Sequence, residues 1–293
     1  MKYAFLAMDV DGTLVGRDGI VPGDVVAAIA AARSAGLRVC LATGRSYVET
    51  IPIWNQLRLT APFEPLVLIG GALVSEPDTG RTLCHRPIPH DLACRLDEAL
   101  ADSGYCAMAI TDRWRTGVDY FLTEGANRDA AEQRWFSQMS VQIRHVRRLA
   151  EADNLPAILR ISTVVDSASG RELAATLADR FRGQLHVHCI FAPNYGVTIV
   201  EAFATGADKF TAVQYVAQGL AVPASRIAAV GDDINDLSLI RGVGLGVAMP
   251  SAPPAIAAVA KHVATDFAAF IRDLAAGRFD DAIPPASRRV KKP

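Results

Sequence analysis

Residues 3–8 (YAFLAM) form an unbroken apolar run that ends at Asp9. Apolar at every position rather than at alternate ones, the run fits a strand covered on both faces, as in a parallel sheet. Over 23–35 the period changes: Val25, Ile29 and Ala32 recur at helical spacing, and Gly36 supplies a stop. A strand over 37–42 (LRVCLA), a helix over 46–58 and a third strand over 65–69 (PLVLI) continue the alternation. It returns late in the chain, with strands over 226–230 (RIAAV) and 243–248 (VGLGVA) and a short helix over 254–260. Such alternation predicts an α/β fold built on a doubly wound parallel sheet.

The segment 84–188 has a different texture. Strand-like runs at 105–110, 157–165 and 185–190 mix with helical ones at 90–102, 127–139 and 170–181. This mixture predicts an inserted α+β cap, with the core contributed by 1–83 and 189–283 and a loose tail over 284–293.

Composition narrows the class. With 51% apolar and 21% charged residues in 293, the chain is a globular protein rather than a disordered one. Net charge is −1, without the basic excess of a nucleic-acid binder. No apolar run is long enough for a membrane span. The five cysteines are scattered and form no CxxC pair, as for reduced thiols in the cytoplasm. Five lysines stand against 25 arginines, and none lies between Lys2 and Lys209, so a lysine at 209 stands out.

Four stations carry candidate chemistry. Asp9 and Asp11 emerge where a buried parallel strand ends, the edge at which open α/β sheets bind ligands. Of two acids so spaced, one can attack phosphorus while the other transfers a proton. Gly12 lets the backbone turn and aim N–H groups at phosphate oxygens. The same residues also suit a strand closed by an Asx-rich turn. Thr43 ends the second strand. Its hydroxyl and the N–H of Gly44 can bind a phosphoryl oxygen, or Thr43 can cap the following helix. Arg45 can clamp an anion or form a surface pair. Lys209 can neutralise crowded negative charge, or stand exposed in a first helical turn. Gly231-Asp232-Asp233-Ile234-Asn235-Asp236 puts three carboxylates at another strand end. Their mutual repulsion calls for a cation, and hard oxygen donors favour Mg²⁺; an acidic helix N-terminus is the bland alternative. His186 and His188 share a strand face and read as a packed or solvated pair, too few for a zinc site.

Taken in order, these stations resemble the four motifs of the haloacid dehalogenase superfamily, and Ala42-Thr-Gly-Arg45 resembles its Cof-type branch. The resemblance implies a Mg²⁺-dependent phosphatase acting on a small phosphorylated metabolite, sugar phosphates in particular. It implies Asp9 as nucleophile and metal ligand and Asp11 as general acid/base, with its main-chain carbonyl on the metal. Asp232 would be the other ligand. Thr43, Lys209 and Asn235 would hold the phosphoryl group, with Asp236 behind the ligands and Arg45 a looser assignment. Gly70 stands where the branch usually has Asn, and Phe210 where Gly commonly follows the lysine. Pro250-Ser251 replaces Gly-Asn. Two rivals share the aspartate. A phosphomutase would return phosphate to sugar. A receiver-like phospho-acceptor module needs neither an acid at Asp11 nor the large insert.

Overall fold

The computed structural model describes residues 2–126, 136, 139–192 and 196–280. Five strands form a parallel sheet: β1 (Phe5–Met8), β2 (Arg38–Leu41), β12 (Ile227–Gly231), β13 (Leu245–Ala248) and β14 (His262–Val263), in the order β14-β13-β12-β1-β2. β1 shows why its run is apolar throughout. Leu6 and Met8 join one buried cluster and Phe5 and Ala7 another, on opposite faces. On the first face lie α1 (Gly23–Ser34), burying Val25, Ala28, Ile29 and Ala32, and α7 (Phe267–Ala275), burying Phe267, Phe270, Ile271 and Leu274. The second face is covered by α5 (Lys209–Gly219) and α6 (Leu237–Gly242). At about 1.5–3 kcal/mol per fully buried large apolar side chain, these two layers hold the strand ends in place.

The third expected strand is shorter and differently paired. β3 (Leu66–Leu68) touches the main sheet through one parallel bridge, Ala42 to Val67. Its full partners are β4 (Leu73–Ser75) and then β5 (Thr82–His85), in an antiparallel three-stranded sheet. α2 (Tyr47–Gln56) lies between β2 and β3.

A six-stranded cap sheet runs β10 (Leu185–Ala192), β11 (Val197–Ala204), β9 (Ile158–Val165), β6 (Met108–Thr111), β7 (Tyr120–Leu122) and β8 (Ile143–His145). All its pairs are antiparallel except β7 with β8. Two helices accompany it, α3 (His90–Asp102) and α4 (Ser167–Arg180). The boundary expected between 188 and 189 must be moved, because it cuts β10. That strand pairs without a break from Leu185–Ala204 to Ala192–Val197, so the cap sheet extends to Ala204. The helix expected over 127–139, apart from Phe136 and Met139, and the tail at 284–293 lie outside the described residues.

Candidate active site

Adjacent parallel strands end in register, Met8 beside Val230 and Leu41. Asp9, Asp232 and Thr43 therefore leave neighbouring strands on one edge. The N–H of Asp9 donates to the carbonyl of Val230 at 3.0 Å, and that of Thr43 to Val67 at 2.9 Å. Gly12 has φ +74°, and a Cβ there would fall 2.1 Å from Oδ2 of Asp232. Only glycine lets the first loop approach the fourth so closely.

Lys209 is fully buried, not an exposed first-turn residue. It opens α5 behind Asp208, whose side chain accepts the N–H of Thr211. Its Nζ donates to Asp9 Oδ1 at 2.6 Å and to Asp236 Oδ1 at 2.7 Å. Burial works against the ammonium, but Asp236 and Asp9 outweigh it and hold the lysine protonated above its ordinary range. The other oxygen of Asp236, Oδ2, accepts the N–H groups of Asp232 and Asp233 at 3.2 and 3.3 Å.

Burial first, and then Asp236, raise the carboxyl of Asp9 well above the usual carboxylate range against the pull of Lys209. The same causes push Asp232 up to about 7. Asp9, Asp232 and Asp236 offer oxygens within 4.8 Å of one another. Both oxygens of Asp236 are engaged, by Lys209 and two amides, whereas Asp9 accepts from Lys209 and Asp232 from Thr13 through Oδ1, so the second oxygens of Asp9 and Asp232 are the better placed for a cation. A crowded, oxygen-only donor set that resists ionisation fits a hard cation such as Mg²⁺.

Asp11 and Arg45 form one unit. Arg45 Nη2 donates to Asp11 Oδ1 at 2.6 Å and Nε to Oδ2 at 2.8 Å, a two-point clamp rather than a loose surface pair. Thr43 is buried and accepts the N–H of Arg45 at 3.1 Å through its hydroxyl. It does not cap α2; Ser46 does, with Ser46 N and Oγ both donating to Glu49 Oε2. Asn235 lies beside the loop of Thr43, its Nδ2 being 3.8 Å from where a Cβ on Gly44 would stand.

Two charged groups passed over in the sequence also reach this region. Arg160 of β9 is buried and donates from Nη1 to the carbonyl of Gly44 at 2.9 Å. It also reaches Glu201 of β11, at 3.4 Å. The signal was present, since each is the lone charge in an apolar strand (ILRISTVV, VTIVEAFA). His186 is exposed and His188 lies against the ring of Phe203, centroids 6.0 Å apart, so the two are the packed or solvated pair expected, and with Phe203 and Asn235 they border a cavity.

A sequence model for haloacid dehalogenase-like hydrolases matches residues 6–268. The 5-amino-6-(5-phospho-D-ribitylamino)uracil phosphatase YitU of Bacillus subtilis is 25% identical over 267 residues, covering 89% of this chain and 92% of its own. The pyridoxal phosphate phosphatase YbhA of Escherichia coli is 26% identical, over 91% of this chain and 94% of its own. A solved haloacid dehalogenase-like hydrolase from Bacteroides thetaiotaomicron superposes with a TM-score of 0.73 at 20% identity, covering 93% of this chain and 99% of that one.

Proposed function

The chain belongs to the haloacid dehalogenase-like hydrolases and is one of their phosphatases, and on that premise we propose that it hydrolyses small phosphomonoesters, sugar phosphates in particular, through a phosphoryl group carried on Asp9. The supporting observation is the buried ammonium of Lys209 clamped between Asp9 and Asp236, with Asp232 alongside, where parallel strands end. The names of YitU and YbhA give small phosphorylated metabolites as the substrates of those two proteins, which supports the same class here.

Asp9 attacks phosphorus, and the bond from phosphorus to the ester oxygen breaks. Asp11 gives its proton to the departing oxygen. In the second step Asp11 takes a proton from water, the water oxygen attacks the same phosphorus, and the bond to Asp9 breaks to release inorganic phosphate. Lys209 keeps Asp9 and its neighbours from repelling the incoming anion. The hydroxyl of Thr43, the N–H of Gly44 and Asn235 hold the phosphoryl oxygens; the N–H of Gly12, expected to join them, is instead donated to the carbonyl of Val15 at 3.0 Å. The clamp on Asp11 is its resting position, which substrate entry must open so that the acid can turn to the ester oxygen. The carboxylates of Asp9 and Asp232 and the main-chain carbonyl of Asp11 would hold Mg²⁺, which would supply positive charge to offset the charge of the phosphoryl group. Asp236 supports this set by holding Lys209 and the Asp232 loop.

Two variants test the division of labour with acetyl phosphate, a donor that needs little protonation of its leaving group. Asp9→Asn should give neither phosphate release nor covalent phosphate. Asp11→Asn should lose about 10²- to 10⁴-fold in turnover while accumulating an acid-stable, base-labile phosphate increment that mass spectrometry maps to Asp9. An increment on the Asp9→Asn protein, or its mapping to another residue, would overturn the mechanism.

A further inference from the structure

Arg160 is a costly residue where it stands. It is the lone charge in β9 and only 2% exposed. Apolar side chains in place of a buried ion pair are often as stable or more so. The pairing with Glu201 at 3.4 Å therefore does not account for an arginine here. Its shorter contact crosses from cap to core, where Nη1 donates to the carbonyl of Gly44 at 2.9 Å.

Gly44 belongs to the loop of Thr43, whose carbonyls are divided between core and cap. Core amides hold two of them. The N–H of Gly70 donates to the carbonyl of Thr43 at 3.0 Å, and that of Ile69 to the carbonyl of Arg45 at 2.9 Å. The carbonyl between these two, that of Gly44, is held by Arg160 of the cap. It shares a trans peptide group with the N–H of Arg45, so the two point in opposite directions. On the far side, that N–H donates to the hydroxyl oxygen of Thr43 at 3.1 Å. The hydroxyl, accepting there, is left to give its own proton outward. Turning the peptide would break the contact to Arg160 and the contact to Thr43 together. Glycine at 44 has no Cβ to resist such a turn, so the hold comes from outside the loop. A second cap residue steadies the same region, since Phe203 packs so closely over Gly70 that a Cβ there would lie 2.9 Å from its Cζ.

Resting on the hydrolase reading above, we propose that Arg160 is a positioning residue for phosphoryl transfer: from the cap it fixes the peptide between Gly44 and Arg45, and so aims the Thr43 hydroxyl at the transferred phosphoryl group. A cationic donor on the carbonyl also strengthens the hydrogen bond made by the N–H of the same peptide, because bonds in a chain polarise one another. Burial works against the charge on Arg160, but Tyr120, Glu201 and Glu49 outweigh it and hold the guanidinium above its ordinary range. It therefore remains a donor at every working pH. The core groups carry the reaction, and the cap raises its rate through this contact without touching the reacting atoms.

The test measures kcat/KM for acetyl phosphate and p-nitrophenyl phosphate, two donors with unlike leaving groups. The proteins are wild type, Arg160→Leu and Arg160→Lys, with Arg160→Leu also made in a Thr43→Val background. Arg160→Leu leaves Glu201 buried without its cation, so Arg160→Leu/Glu201→Leu, which removes both charges, is made alongside it in both backgrounds. Circular dichroism checks that each protein is folded. Loss of Arg160 should lower kcat/KM about tenfold, as for one lost hydrogen bond. The factor should be the same for both donors, because the Thr43 hydroxyl meets the phosphoryl group they share. Arg160→Lys, which keeps a cationic donor, should recover part of the loss. In the Thr43→Val background, with no hydroxyl left to aim, the same replacement should cost no more than about twofold. A full tenfold loss in that background, or an unchanged kcat/KM in whichever of Arg160→Leu and Arg160→Leu/Glu201→Leu is folded, would overturn this assignment and leave the hydrolase reading standing. A wild type that releases phosphate from neither donor would remove both.

Discussion

Asp232 shows how one residue's environment sets a condition for the whole site. Burial and the nearby Asp236 push its carboxyl up to about 7, and Asp9 is raised for the same reasons. In the unfolded chain both return to the ordinary carboxylate range. The folded, metal-free protein therefore binds protons more tightly than the unfolded one. The Asp232 contribution is fully present below the ordinary carboxylate range, is lost as pH rises from there toward about 7, and is gone above that value. Mg²⁺ must displace those protons. Millimolar Mg²⁺ should accordingly raise Tm much more at pH 8.5 than at pH 5.5, since ligand stabilisation grows with the ratio of concentration to Kd. Differential scanning fluorimetry with and without the metal reads this directly, and an increment independent of pH would rule out the proposed ligands. That Asp9, Asp11, Thr43 and Asp232 stand at strand ends was legible in the local pattern, whereas Lys209 stood out by the scarcity of lysine and by the resemblance. Their partners were not legible. The clamp of Arg45 on Asp11, and the double contact of Lys209, join residues 34, 200 and 27 positions apart, and no local pattern carries such a pairing.

At the scale of elements, the strands read most securely were those buried on both faces. Continuous apolar runs such as FLAM and IAAV are enforced by two covering layers, so the pattern and the fold share one cause. β11 was missed because Glu201 interrupts an otherwise apolar, β-branched stretch (VTIVEAFA), and its cross-strand neighbours His188 and Arg160 explain why an acid is tolerated there. β4 and β5 are three and four residues long, too short for a period to show. Two departures from the family pattern prove to be packing adjustments. Phe210 after the lysine fits because its ring fills the space where a Cβ on Gly242 would stand, 2.5 Å from Cε2. Gly70 in place of Asn makes room for Phe203 of β11. Asn tolerates the φ of +62° at this position, so backbone strain alone would not penalise it. The collision with Phe203 would. Gly70→Asn should cost about 1–3 kcal/mol, the usual range for overpacking, measured by denaturant unfolding. In a Phe203→Leu background the same change should cost clearly less, because the two sites share the space. Equal cost in both backgrounds would show that the ring is not the obstacle.

For the molecule as a whole, the question is what the cap sheet contributes and where it can be separated from the core. All the proposed catalytic groups, Asp9, Asp11, Lys209 and Asp232, lie in the core segments, whereas His188, Glu201 and Phe203 lie in the cap sheet. The chain crosses from core to cap after β5, with Arg86 N still bonded to Ala72 and Ile88 already bridged to Ile158. It returns between Ala204, the last residue of β11, and Lys209, the first of α5. A capless protein made by replacing 84–188 with a linker would keep β11 and part of β10 while removing β9, the other partner of β11. The apolar faces and unpaired ladder edges left on those strands should drive aggregation. Replacing 88–204 instead removes the sheet entire and spares β5 and Lys209. It also exposes Gly70 and the carbonyl of Gly44 where Phe203 and Arg160 had docked, so some loss of stability is expected. The longer replacement should run as a monodisperse, folded protein in size-exclusion chromatography while the shorter one precipitates. It should retain measurable turnover of acetyl phosphate, which needs only the core groups. Its discrimination between sugar phosphates should vanish, because the cap sheet docked on the core has gone. A folded 88–204 replacement that still discriminated would place the specificity groups in the core.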